Sequence, residues 1–315
     1  MSRPWLRGSR LPKRNVRAEP MSDTSEAAPL PRFLAVDLGE RHLAAGIVAA
    51  DGTMGIRDRV VTPSRDPLDA LLRLLDRVLA ATPDDQRPVA CAVSGPGPVD
   101  AASGEFRPIG MVRWHGLPIR KAVAERTGVT TMLESSGRAY AVAAAEGESV
   151  LALHLGDQVD GGVVVDGVLI AGANGRAGMF GHLLVEPNGP ECSCGAVGCL
   201  EVFAGVQSIM AQTGRDLIST PAALIDRAGI MVGRACASLA AMVDVRRIVV
   251  GGVLIEVFRD RFVDQMRSEF EERCRLSHLS DASIRVVQHH VLTGAAMVAR
   301  TMDVGEVAQR STLDI

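Results

Sequence analysis

Apolar and polar positions fall into alternating blocks along this chain. Phe33–Leu38 is an apolar run stopped by Gly39, and Leu43–Ala50 is a second, closed by Asp51-Gly52. Runs of this length between turn residues read as strands, with the Asp-Gly pair turning into a third. From Pro67 to Ala81 the period changes. Leu68, Leu71, Leu72, Leu75 and Leu79 fall on one helical face, Asp66 stands at the cap position, and Pro67 suits the first turn. Val89–Ser94 reads as a buried strand running into Gly95-Pro96-Gly97-Pro98, a turn too rigid and glycine-rich for helix or sheet. Val129–Glu134 reads as another strand, with a helix starting near Gly137.

The opening layout then recurs. Val150–Leu155, Gly156, a polar turn, and Gly162–Val165 closed by Asp166-Gly167 repeat the arrangement of Phe33–Gly52. Such a repeat predicts two related halves facing each other. Ile248–Val250 with Gly251-Gly252 reads as strand, turn and helix, Ile284–Gln288 as a late strand, and Leu292–Met302 as an apolar helix packing back on the first half. Strands alternating with helices around an internal duplication predict two α/β domains about a cleft. The boundaries fall at 1–31 for a leader, 32–133 plus 291–315 for a small α/β domain, and 134–290 for a larger one.

Composition narrows this picture. Hydrophobic residues make up 47% of the 315 positions but aromatics only 3%, so the core is built from aliphatic side chains. A net charge of -3 argues against a nucleic-acid surface spread over the chain. No run of 18 apolar residues is present, so no membrane span is expected. The first twenty residues are basic, with Arg3, Arg7, Arg10, Lys13, Arg14 and Arg17 against Glu19 alone, and they lack the apolar stretch of a signal peptide. They read as a disordered leader, or as an early start ahead of Met21, and a cytoplasmic protein is expected. Cys91, Cys236 and Cys274 lie among apolar neighbours and read as buried free thiols.

The remaining cysteines are clustered. Cys192, Cys194 and Cys199 sit within eight residues, turned by Gly195 and Gly198, with His182 ten positions upstream of the first. A Cys3His set fills a tetrahedral zinc site with no open position. A disulfide or free thiols are the bland alternatives, and an intracellular setting favours metal.

The same stretch, A-G-x-x-G-H followed by C-x-C-G-x-x-G-C-L-E over Ala177–Glu201, resembles the zinc signature of the ROK family of repressors, open reading frames and sugar kinases. The resemblance runs from about Phe33 to about Ala299. It implies an actin-like, ribonuclease H-like sugar-kinase fold with a central cleft, a structural zinc loop, and ATP held between glycine hairpins. It also implies that His182 and Glu201 touch the sugar, that Asp37, Gly39, Gly251 and Gly252 belong to the nucleotide site, and that the protein is a homodimer. The stretch ahead of Phe33 is too short for the winged helix of the family's repressor branch.

Against that pattern the chemistry-bearing positions depart. The first hairpin, D-x-G-G-T in the family's kinases, is Asp37-Leu38-Gly39-Glu40-Arg41. The second is Gly156-Asp157-Gln158-Val159-Asp160-Gly161-Gly162, where a G-T-G is usual. Carboxylates at both places repel polyphosphate, which disfavours ATP and its magnesium. The base pattern E-N-D-A-N-A is Glu134-Ser135-Ser136-Gly137-Arg138-Ala139, so Ser136 holds the position of the base and Ser135 that of a sugar-binding asparagine. Met179 replaces a sugar-binding glutamate, and Gly110 an asparagine. Arg41 and Arg138 are candidates to hold an anionic ligand such as a sugar phosphate, unless they are solvated or paired with Glu40 and Asp157. Taken together, these departures predict a non-catalytic binding or regulatory protein on a kinase scaffold. The alternatives are an ATP-dependent sugar kinase of the glucokinase or N-acetylmannosamine kinase type with an atypical site, or a ROK-type transcriptional regulator.

Overall fold

The computed structural model describes residues 30–100, 103–109 and 112–302. The basic leader, Gly110 and the segment after Met302 lie outside the described residues.

The strands are β1 (Arg32–Leu38), β2 (His42–Ala49), β3 (Met54–Val61), β4 (Ala90–Gly95), β5 (Val99–Asp100), β6 (Glu105–Phe106), β7 (Thr131–Ser135), β8 (Val150–Leu155), β9 (Val159–Val165), β10 (Val168–Leu169), β11 (Arg247–Gly251) and β12 (Ser283–Val286). The helices are α1 (Pro67–Ala81), α2 (Ile119–Thr127), α3 (Ser136–Ala145), α4 (Glu201–Ala204), α5 (Val206–Thr213), α6 (Ala222–Val243), α7 (Val253–Arg273) and α8 (Val291–Arg300). Two five-stranded sheets result, ordered β3-β2-β1-β4-β7 and β10-β9-β8-β11-β12. Each opens with an antiparallel meander and continues with parallel strands. The repeated strand–turn–strand thus lies at the same place in two sheets of the same topology.

The strands read as continuous apolar runs because both faces of each sheet are covered. In β1, Leu34, Val36 and Leu38 pack with Leu71, Leu74, Leu75 and Val78 of α1 and with Ile119 and Val123 of α2. Phe33 and Ala35, on the opposite face, meet Leu292, Ala295 and Ala299 of α8. In the second sheet, Leu151, Leu153 and Ile248 pack in one core with residues of α6 and α7, while Ala152 and Val249 meet Tyr140, Ala141 and Ala144 of α3. Helix α3 touches both sheets, since its Ala139 belongs to the core beneath α8. Among the described residues no helix is long and apolar enough to cross a membrane.

Two local expectations are corrected. Helix α1 begins at Pro67, yet Asp66 makes no side-chain cap, because its backbone is left-handed at φ 52°. The buried face of α1 is Leu71, Leu74, Leu75 and Val78, with Leu68 and Leu72 only partly covered.

Helices α6 and α7 approach closely along glycines. A Cβ on Gly229 would lie 2.6 Å from the Phe262 carbonyl oxygen, and one on Gly233 2.3 Å from that of Met266. Helix propensity alone would favour alanine at such positions by up to about 1 kcal/mol. The clash is with backbone inside a packed helix, which cannot swing aside, so it decides the sign. Gly233→Ala is expected to lose about 1–3 kcal/mol of stability in urea unfolding. A variant as stable as wild type would show that α7 can shift away from α6.

Candidate functional site

The turns that end β1, β8 and β11 converge with the start of α3 on one cavity of about 340 Å³. Its lining includes Asp37, Gly39, Arg41, Ser136, Tyr140, His154, Asp157, Asp160, Gly252, Glu256 and His290. The first hairpin closes with the Gly39 N–H donating to the His42 carbonyl at 2.9 Å. A Cβ on Gly39 would lie 2.8 Å from that same oxygen, so the turn excludes side chains there. In the second hairpin the Gly156 N–H donates to the Gln158 carbonyl at 3.2 Å. At the third turn Gly252 has φ 113° and sits against the backbone of Leu155. The side chain of Gln288 brackets it, accepting from its N–H at 3.1 Å and donating to its carbonyl at 3.2 Å. Gly251 does not line the cavity; it is held tightly beneath the Tyr140 hydroxyl, which donates to the Val287 carbonyl.

Charge in this cavity is distributed differently from the expectation. The Glu40 side chain is not part of the lining; its carboxylate pairs with Arg113 at 2.7 Å. Asp157 does enter the cavity. It accepts from the Glu40 N–H at 3.1 Å and from Arg41 Nε at 3.1 Å, so it ties the two hairpins together. Arg138 offers nothing to a ligand in this cavity. It is buried, bonds Glu134 through Nε and Nη2 at 2.7 and 3.1 Å, and donates to the Ile170 carbonyl at 2.7 Å.

Ser136 stands at the first position of α3 and lines the cavity. Ser135 caps the helix, its side chain accepting from the Arg138 N–H. Beside them is Asp160, which the sequence puts in the second hairpin without its tie to α3: from β9 it accepts from the Gly137 N–H at 2.7 Å. Its other oxygen lies 3.6 Å from His154 Nδ1. Burial pulls the His154 pKa down, but pairing with Asp160 and the nearby charges of Asp37 and Asp157 outweigh it, so the net shift is upward. The signal that could have found this pair is one polar residue within each of two otherwise apolar strands, at His154 and Asp160.

His182 and Glu201 lie away from this lining. His182 Nδ1 is 3.7 Å from Cys192 Sγ, and Cys194 Sγ is 3.8 Å from Cys199 Sγ. All four donor atoms fall within 4.8 Å of one another. Sulfurs at that separation are not disulfide-bonded, and the donor set is consistent with a tetrahedral zinc site. Two residues past Cys199, Glu201 is buried between Gly181 and Gly205 and accepts from the Val159 N–H at 2.7 Å. Burial pushes its carboxyl up to about 7. Met179 lies near Gly97 and Ser135, so the segment 177–182 flanks the start of α3.

Asp37 has the clearest pH signature. Burial, offset only in part by His154 and by the Ser94 hydroxyl at 3.2 Å, pushes its carboxyl up to about 6. Between about pH 4 and 6 the native state keeps a proton that the unfolded chain has released, so stability falls as pH rises through that window. Above it a charge stays buried, at a cost of about 1.4 kcal/mol for each tenfold change in proton affinity. Asp37→Asn is therefore expected to raise the melting temperature at about pH 8 and to change it little at about pH 4. An unchanged or lower value at the higher pH would show that the ionised carboxylate gains more from its neighbours than burial costs.

Comparison with known proteins bears on what this cavity does. The ROK family model matches residues 33–301. A glucokinase from Thermotoga maritima is 33% identical over 56% of this chain, although the match spans only 58% of that enzyme. An N-acetylmannosamine kinase from Escherichia coli O157:H7 is 30% identical over 70% of this chain and 82% of its own length. The crystal structure of a ROK hexokinase from Thermus thermophilus superposes with a TM-score of 0.70 at 28% identity, over 85% of this chain and 98% of that one. These relatives correct the expectation of a non-catalytic protein, which rested on reading the departures at both hairpins, the base position and the sugar contacts as lost functions. At the first hairpin, Glu40 proves to be neutralised by Arg113 rather than aimed at a phosphate site. With a family model spanning nearly all of the described residues and kinases about 30% identical beside it, the chain belongs to the ROK family.

Proposed function

We propose that this protein is an ATP-dependent sugar kinase with an atypical catalytic site, and that it transfers a phosphoryl group to a hexose hydroxyl. The observation that carries the reading is the convergence of Gly39, Gly156 and Gly252 with the N-terminus of α3 on one cavity. Glycine turns without side chains let a polyphosphate come close to the backbone, and the helix N-terminus adds a favourable dipole. The hairpins and Gly252 would hold the nucleotide, with Arg41 and Arg59 supplying positive charge along the same lining. Magnesium accompanying the triphosphate would neutralise phosphate charge, and Asp37, buried at the cavity wall, is the carboxylate to face it. The sugar would lie toward the segment 177–182. His182 belongs to that segment, and Glu201, buried against Gly181, accepts from the Val159 N–H of the second hairpin. Glucose and N-acetylmannosamine are the first candidates, because the similar curated kinases are named for them.

A coupled assay with ATP, magnesium and each sugar is expected to show sugar-dependent ADP release, at an ordinary kinase turnover of about 1–100 per second. No sugar-dependent release with either hexose, or with a wider panel of simple sugars, would overturn the proposal.

We also assign zinc to His182, Cys192, Cys194 and Cys199. Its role is structural, since four protein ligands leave no open position. Metal analysis of freshly purified protein is expected to find about one zinc per chain, and Cys194→Ser to lower metal content and melting temperature together. A metal-free protein of undiminished stability would refute the assignment.

A further inference from the structure

We propose that Asp160 is the general base of this kinase, a carboxylate supplied from β9 in place of one on α3. The assignment rests on the sugar-kinase reading above. Phosphoryl transfer to an alcohol requires a group near the reacting hydroxyl that takes its proton. Ser136, at the head of α3, has no useful basicity at neutral pH. The carboxylate that reaches the head of this helix comes from the opposite wall. Asp160 Oδ2 accepts from the Gly137 N–H at 2.7 Å, one residue past Ser136, and Asp160 lines the same cavity as Ser136.

The surroundings are shaped for it. A Cβ on Gly137 would lie 2.2 Å from the Gly161 nitrogen and 2.6 Å from Asp160 Cγ, so the helix carries glycine where β9 and its aspartate lean in. Three positions therefore fit one another: a serine too short to fill the site, a glycine that makes room, and an aspartate from β9 that occupies it.

Two of the other cavity acids are otherwise engaged, and the third, Glu256, stands on the first turn of α7 beside the Gly252 turn. Asp157 is held by Arg41 and the Glu40 N–H. Asp37 is hydrogen-bonded by Ser94 at the end of β1. Asp160 also stands where the two substrates must meet. Immediately before it, Val159 donates to Glu201; immediately after it, Gly161 donates to the Gly178 carbonyl at 2.9 Å. Both bonds lead to the proposed sugar wall, while Gly156–Gln158 on the other side form the phosphate hairpin. A carboxylate oxygen with one hydrogen bond retains lone pairs for a further donor.

In the step, the sugar oxygen forms a bond to the γ-phosphorus as the bond from that phosphorus to the β–γ bridging oxygen breaks. ADP leaves with the electron pair, and the hydroxyl proton passes to Asp160. His154 Nδ1 lies 3.6 Å from the other carboxylate oxygen.

The test uses the full chain with ATP, magnesium and whichever of glucose or N-acetylmannosamine it phosphorylates. Asp160→Asn keeps an oxygen to accept from the Gly137 N–H, so the helix cap survives while the base is lost. Its kcat is expected to fall about 10²–10⁴-fold, with KM for ATP and the melting temperature close to wild type. Should this variant fold poorly, a second pair decides the matter. Asp160→Gly is expected to be inactive, and adding Ser136→Asp to it, which returns a carboxylate to the helix, is expected to recover at least about tenfold in kcat. An Asp160→Asn enzyme within about threefold of wild-type kcat would overturn the assignment and leave the kinase reading standing. Failure of the double variant to exceed Asp160→Gly would also overturn it. A wild-type protein without turnover would overturn the kinase reading itself, and the assignment with it.

Discussion

The cleft depends on how closely one helix can be held between two sheets. Helix α3 is almost free of large side chains. Its Ala139 touches the first core, its Tyr140, Ala141 and Ala144 the second, and its backbone lies against Gly294 of α8. A Cβ on Gly294 would sit 2.8 Å from the Ala139 carbonyl carbon, and one on Gly162 2.8 Å from the Ala141 Cβ. Small residues on facing elements bring backbones together at the distance where hydrogen bonds between them can form. The first residues of α3 are thus delivered to β9, and the chemistry at their junction is fixed by packing far from the ligand.

A second chain of constraint comes from the cysteine loop. Cys199 and Glu201 are two residues apart, and Glu201 holds the Val159 N–H at the start of β9. The loop therefore fixes the edge of the second hairpin as well as its own fold. The proposed zinc, closing the loop through four protein donors, would stiffen that anchor.

The scaffold was legible in the sequence because its signals are local. Strand runs, the Asp-Gly turn and the limits of α1 follow from period and turn residues. So does the cysteine cluster, whose members lie close together along the chain. The cleft was not legible to the same degree, because its substitutions compensate across elements. Glu40 reads as a charge against phosphate until Arg113 is found beside it, and the carboxylate bonded to the Gly137 N–H at the head of α3 is Asp160, across the junction from Ser136. Neither partner is adjacent in sequence, and no periodicity brings them together. Asp66 failed as a cap for a different reason: residue type was right, but its left-handed backbone leaves the side chain without the amide it would accept from.

The contact between Asp157 and the first hairpin has a further consequence. A carboxylate that accepts from a backbone N–H and an arginine is an internal ligand for the amide a phosphate oxygen would seek. An incoming anion competes with a tethered rival that is always present at high local concentration. Its apparent affinity is reduced by the fraction of molecules in which the rival is bound. In the proposed kinase such a rival would favour a densely charged polyphosphate over singly charged oxyanions, which gain too little to displace the aspartate. Selectivity against small anions would then arise from a residue that never needs to touch the proposed nucleotide.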